Sequence, residues 1–167
     1  MAIETIPIQT IWSVLRRLPG FLLRRHFTPE KLAGLVYIDI RPRHDSAVVD
    51  LGEVASFTLY LQAINLSPFS VELDRASFRF SYNGISIKAS ILKKQEIRPG
   101  EISSLYLHEA IPEGHANQMA RAAESSSAAL DGNIEFNCQV RQFAKQVGHI
   151  DGINPKVYNA HMRGSSK

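Results

Sequence analysis

Between Val54 and Leu92 apolar and polar residues alternate, and this constrains the chain more than any other feature of it. Phe57, Leu59, Leu61 and Ala63 interleave with Thr58, Tyr60, Gln62 and Ile64. After Asn65-Leu66-Ser67-Pro68-Phe69 the alternation restarts, with Ala76, Phe78, Phe80 and Tyr82 set against Ser77, Arg79, Ser81 and Asn83. Asn83-Gly84, a tight-turn dipeptide, then leads into Ile85, Ile87, Ala89 and Ile91. A period of two puts each apolar set on one face of a sheet, which a helix cannot do. The stretch predicts two or three consecutive strands forming a half-buried antiparallel meander, the material of a β-sandwich.

The rest of the chain is read around that meander. Thr28-Pro29 opens a short helix that Gly34 ends, with Thr28 as N-cap and Pro29 in the first turn. Val36, Ile38 and Ile40 alternate with Tyr37, Asp39 and Arg41 as a first strand, and Ala47 to Leu51 form a second, shorter one. Lys93 to Glu96 read as a solvated strand end and Arg98-Pro99-Gly100-Glu101 as a turn. A strand over Ile102–Ala110 follows, with Leu105 and Leu107 opposed to Ser104, Tyr106 and His108. Gly114 to Leu130 is rich in alanine and has no β-branched residue, so it predicts one helix with Met119, Ala122, Ala123 and Leu130 inward. Asp131-Gly132-Asn133 reads as a turn, Asn133 to Val147 as the last long strand, and the chain from Gly148 as an irregular tail over the surface. The division expected is a basic amphipathic segment over 1–34, a sandwich over 35–147 and a tail over 148–167.

Charge is concentrated at the start. Of 19 basic and 16 acidic residues, Arg16, Arg17, Arg24, Arg25 and Lys31 against Glu4 and Glu30 lie in the first 31, which carries the whole net charge of +3. A neutral body argues against nucleic acid, which needs a basic face along the phosphates. Within that start, Ile8, Ile11, Trp12, Leu15 and Leu18 fall at helical spacing, and after Pro19-Gly20 the run Phe21-Leu22-Leu23-Arg24-Arg25 resumes the pattern. Four arginines interrupt it, so it is no membrane span, and their position behind the apolar residues is wrong for a signal peptide. Three roles stay open: packing on the sandwich, lying in an anionic membrane interface through Trp12, Arg16, Arg17, Phe21, Leu22, Arg24 and Arg25, or filling a partner protein's groove.

Residues with the spacing of a catalytic or metal site are not found. The six histidines form no pair at metal-ligand spacing, and Cys138 is the single cysteine, read as a small apolar residue beside Ile134, Phe136 and Val140. Without a disulfide, a reducing compartment is favoured. No nucleophile elbow or phosphate loop is present. Asp39, Asp45, Asp50 and Glu53 cluster in sequence, but calcium would need several oxygens converging from loops, so no metal and no cofactor are expected.

The run Phe57 to Val71, with a strand ending in Asn65, a turn holding Pro68 and Phe69, and a strand opening on Val71, resembles the signature of the late embryogenesis abundant type 2 family, the water-stress and hypersensitive-response domain. The order that follows is similar as well: an aromatic strand, Tyr82-Asn83-Gly84, a strand, Arg98-Pro99-Gly100, a strand, a helix and a closing strand, over about residues 35–145. Where the family has Asn-Pro, this chain has Asn65-Leu66-Ser67-Pro68, two residues longer. The resemblance implies an immunoglobulin- or fibronectin-like antiparallel sandwich with one inserted helix and no enzymatic activity. It also implies a role in desiccation and stress tolerance or one close to membranes. The expectation for this chain is a cytoplasmic accessory or interaction domain, with residues 6–27 a candidate for holding it peripherally on the inner face of a membrane. The alternative is a structural subunit whose N-terminal segment packs on a partner. Asn65, Pro68 and Gly84 are read as structural turn residues, because an asparagine side chain can satisfy backbone groups where a strand ends.

Overall fold

The computed structural model describes residues 19–41, 45–121 and 127–163. Two five-stranded sheets pack face to face. In the first, β3 (Ser56–Asn65) is central, with β7 (Ile102–Ala110) along one side. β1 (Val36–Ile40) and β2 (Ala47–Asp50) share the other side, opposite the end and the start of β3 respectively, and β10 (Lys156–Tyr158) lies outside β2. In the second, β4 (Val71–Tyr82) is central, with β5 (Ile85–Ile91) and β6 (Gln95–Ile97) on one side. β8 (Ala128–Cys138) and then β9 (Gln142–Ile153) complete its other side. The mainly β, sandwich-type fold expected from the alternation is therefore what the chain adopts.

The core is the inward half of each alternation. Phe57, Leu59 and Leu61 from β3 meet Leu73, Phe78 and Phe80 from β4, all essentially inaccessible to solvent. The rings of Phe57 and Phe80 stack across the gap with centroids 4.7 Å apart. Each such side chain contributes roughly 1.5–3 kcal/mol by leaving water, so the fold rests on these rows. The short helices α1 (Gly20–His26) and α2 (Pro29–Gly34) close one end and side. Thr28 caps α2 as expected, accepting from the Lys31 amide. Leu23, Phe27 and Leu32 are buried, and Phe27 meets Phe69 edge-on at 5.0 Å. α2 packs on β9, where Lys145 Nζ donates to Ala33 O at 2.9 Å. α3 (Glu113–Arg121) covers the opposite end through Ala116 and Met119.

Several sequence expectations are corrected. β3 and β4 do not pair, so residues 54–92 are no meander: the chain crosses between sheets at Asn65–Phe69, and only β4 and β5 form a hairpin. Periodicity fixes which face is buried but is the same for a hairpin and a crossover. Gln95–Ile97, read as a solvated end, is β6 on β4. The helix expected over 114–130 stops at Arg121 among the described residues, Ala122 and Ala123 fall outside them, and Ala128-Ala129-Leu130 are already β8. Helix propensity loses there to pairing with β4 and β9, and Ala128 and Leu130 are buried in the strand that results.

Asp131-Gly132-Asn133 is not a turn but the middle of β8. Gly132 sits opposite Phe78, and a Cβ there would lie 2.5 Å from Phe78 Cδ1 and 2.6 Å from Ser77 O. Glycine is required by close approach of two strands rather than by a bend. The single strand expected over 133–147 is two, joined at Gln139–Arg141, and the chain expected to be irregular from Gly148 continues as β9 to Ile153 and then as β10. β10 pairs with β2 in parallel, the one exception to an otherwise antiparallel pattern among the described strands.

Candidate functional site

The turn at Asn65–Phe69 is a buried lock. Asn65 and Ser67 are fully inaccessible. Asn65 Nδ2 donates to Phe69 O at 2.7 Å and to Ile97 O at 2.9 Å, and its Oδ1 accepts from the Ser67 amide at 2.9 Å. The Ser67 hydroxyl lies 2.6 Å from that same oxygen and 2.9 Å from Phe69 O. The Asn65 backbone is held too, its N–H by Glu101 O and its carbonyl by Gly100 N. One side chain thus ties β3, the turn and the β6–β7 connection, and its polar atoms are committed to protein groups rather than to a ligand. Pro68 is buried within this turn. Gly84 has φ +75° and Asn83 φ +51°, the paired positive values that a two-residue hairpin of this kind needs.

Of the seven N-terminal residues, Trp12, Arg16 and Arg17 lie outside the described residues. The other four are on α1. Phe21 is 71% and Leu22 41% exposed, while Leu23 between helix and sandwich is buried. Arg25 is exposed. Arg24 is different: its Nε donates to Val140 O at 3.1 Å, and its own carbonyl accepts from the Arg141 guanidinium. Arg24 thus fastens the helix to the β8–β9 turn. Arg25, Phe21 and Leu22 form the free part of the patch, with Glu30 the one acid among described residues 19–31. The Thr28 hydroxyl holds the Glu30 carboxyl below the usual carboxylate range. No helix among the described residues is long and apolar enough to cross a membrane.

The acidic quartet is dispersed in its contacts. Asp39 accepts from the Tyr37 hydroxyl at 2.8 Å and keeps that phenol protonated to higher pH. Asp45 pairs with Lys156. Asp50 accepts from Asn159 at 2.8 Å and from Gly52 N at 2.9 Å, which lower its pKa in that order. Among the described residues no three potential ligands converge as a metal site.

Two features were missed in the sequence. On the outer face of the β3 sheet Tyr60 and Tyr106 lie 5.2 Å apart, Tyr106 stacks parallel to His108, and Arg41 stands 5.9 Å over the Tyr60 ring. The signal was present, since these rings occupy positions that alternation assigns to the wet face. The second feature is Arg163, which donates to Leu51 O at 2.7 Å, Gly52 O at 2.5 Å, Glu53 O at 3.1 Å and Asn117 Oδ1 at 3.2 Å. No local pattern announces it.

No family model matches the chain, and no curated protein matches it. Among solved structures, the X-ray structure of a structural-genomics target is similar with a TM-score of 0.50 and 10% identity, over 72% of this chain and 88% of that one. The solution structure of an Arabidopsis thaliana protein gives 0.42 and 14%, over 69% and 77%. One named for the late embryogenesis abundant proteins gives 0.38 and 12%, over 92% and 94%. The likeness is one of fold. It rests on the first of the three, and the two lower scores bear on nothing further.

Proposed function

We propose that this chain is a non-catalytic accessory module of the late embryogenesis abundant type 2 kind, attached peripherally to an anionic membrane surface by its N-terminal segment. The observation that carries the attachment is the division of labour on α1: Leu23 and Arg24 hold the helix to the sandwich, while Phe21, Leu22 and Arg25 face outward. An apolar pair beside a cation suits the boundary between acyl chains and anionic head groups. The resemblance over residues 35–145 and the sandwich fold support the family reading, and the lock at Asn65 sits where the family's signature turn falls.

The test is co-sedimentation of the full chain with vesicles containing anionic lipid across a salt series. Removing residues 1–27 is unsuitable, because Leu23 and Phe27 belong to the core. Phe21→Ser with Leu22→Ser, and separately Arg25→Glu, leave the core intact and shift the melting temperature by no more than roughly 1–2 °C. Each is expected to lower binding several-fold, and salt to release the unaltered chain. Salt-insensitive binding, or binding unchanged by all three substitutions, overturns the membrane reading. An unaltered chain that ignores vesicles but self-associates through Phe21 and Leu22 favours the structural-subunit alternative.

A further inference from the structure

The outer face of the β4 sheet carries a groove of about 560 Å³ lined by Ser77, Arg79, Lys88, Asp131, Asn133 and Gln146, with Gly132 and Gly148 in its wall. Its concavity has a backbone cause. Leu130 pairs with Ile150 and Gly132 with Val147, so β9 spends two residues, Gly148 and His149, where β8 spends one. Such a bulge bends the strand and opens the surface, and bulges of this kind recur beside binding sites.

The charges in the groove are arranged against stability. Arg79 and Lys88 sit directly opposite each other on β4 and β5, and like charges across an antiparallel pair repel. Elsewhere on this sheet's exposed side cations are paired: Arg75 with Glu135 at 2.9 Å, and Lys94 with Asp74 at 3.0 Å and Glu72 at 3.4 Å. Among the described residues Arg79 and Lys88 have no such partner. Asp131 faces Arg79 from β8 without forming an ion pair with it, and His149 at the rim is engaged with Asp151 at 2.9 Å. Next to the cations, Ser77, Asn133 and Gln146 fall in one row across β4, β8 and β9, presenting uncharged donors and acceptors.

We propose that this groove binds a small phosphate monoester of a hydroxylated carbon skeleton. Arg79 and Lys88 take the phosphate, where a dianion relieves their mutual repulsion. Asn133 and Gln146 take hydroxyl groups of the skeleton. Asp131 keeps the local charge low, so the groove suits one phosphate and not a polyanion. The site is separate from α1 and does not depend on membrane attachment.

The experiment is amide-resolved NMR titration of the full chain with glucose 6-phosphate, inorganic phosphate and glucose. Glucose 6-phosphate is expected to give saturable shifts along residues 77–79, 88, 131–133 and 146–149, and to bind roughly fivefold or more tighter than either simpler probe. Arg79→Gln and Lys88→Gln each weaken binding about tenfold, while Arg75→Gln on the same face changes it less than about twofold. Lys88→Glu converts the repulsive pair to an attractive one, so it abolishes binding and raises the melting temperature of the ligand-free protein by roughly 1–3 °C. The proposal is overturned if shifts do not saturate by ~10 mM, a weak-binding limit, or if Arg75→Gln weakens binding as much as Arg79→Gln. It is equally overturned if Lys88→Glu leaves binding intact.

Discussion

The two ends of the sandwich are each held by a polar side chain that ties backbone groups together, yet the two locks differ in kind. At one end Asn65 is neutral, fully buried and bonded within its own turn and to Ile97, 32 residues on. At the other Arg163 is charged and half-exposed, and reaches carbonyls 110 to 112 residues away in sequence. Removing the buried amide takes a donor from the Phe69 and Ile97 carbonyls and the acceptor from the Ser67 N–H, whereas water can replace much of what an exposed guanidinium supplies. The first lock decides whether the crossover between sheets forms, and the second trims an end of a sandwich already assembled.

Substitutions at the two ends put that difference to the test. Asn65→Ala carries the largest expected effect. Losing its side-chain hydrogen bonds and leaving buried partners unsatisfied costs about 3–5 kcal/mol, read as a melting temperature lower by roughly 10 °C in calorimetry. A loss below about 1 kcal/mol would mean that Ser67 alone can hold the turn.

Arg163→Ala comes next, at about 1–2 kcal/mol in urea unfolding. Its signature is local: amide exchange quickens in β10 and over Leu51–Glu53 while the Asn65 turn stays protected. If both ends lose protection together, the two locks belong to one cooperative unit and the contrast between them fails.

The smallest effect is in pH. Asn159 and then Gly52 N–H hold the Asp50 carboxyl below its ordinary value of 3.8. A group with a lowered folded pKa contributes stability that is complete above the ordinary value and is lost as pH falls through the folded one. Asp50→Ala is therefore expected to be a few tenths of a kcal/mol less stable near neutrality, with the gap to the unaltered chain closing below about pH 4. Urea midpoints compared at pH 6 and under strong acid measure it. A gap constant with pH would assign the effect to packing instead of charge.

The same contrast explains what the sequence disclosed. The strands β1 to β5 and β7, the turns at Asn83-Gly84 and Pro99-Gly100, and the capped α2 were legible, because alternation, turn residues and caps act over a few positions. The Asn65 turn was legible for the same reason. β8 was not: its start at Ala128 follows an alanine-rich stretch, and Gly132 carries the residue type of a turn for a reason that lies on β4. β10 has no apolar alternation of its own, and what makes it a strand is β2. The groove at Arg79 and Lys88 depends on register and on the β9 bulge, which no single segment encodes. Of the N-terminal patch, the sequence supplied the residue types, but only the fold separates Arg24, which is tied, from Arg25, which is free.

The parallel pairing of β10 with β2 also sets an order of events during synthesis. Asp50 waits 109 residues for Asn159. Until those later residues leave the ribosome, β2 stands with an unpaired side, and its Ala47 and Val49 belong to a sheet still missing a member. Local turns such as Asn83-Gly84 can close at once, but this edge can be sealed only after β10 has emerged. The nascent chain therefore carries a sticky margin from the emergence of β2 until that of β10, and that interval is where a holdase or a misdirected strand from a neighbouring chain would find it.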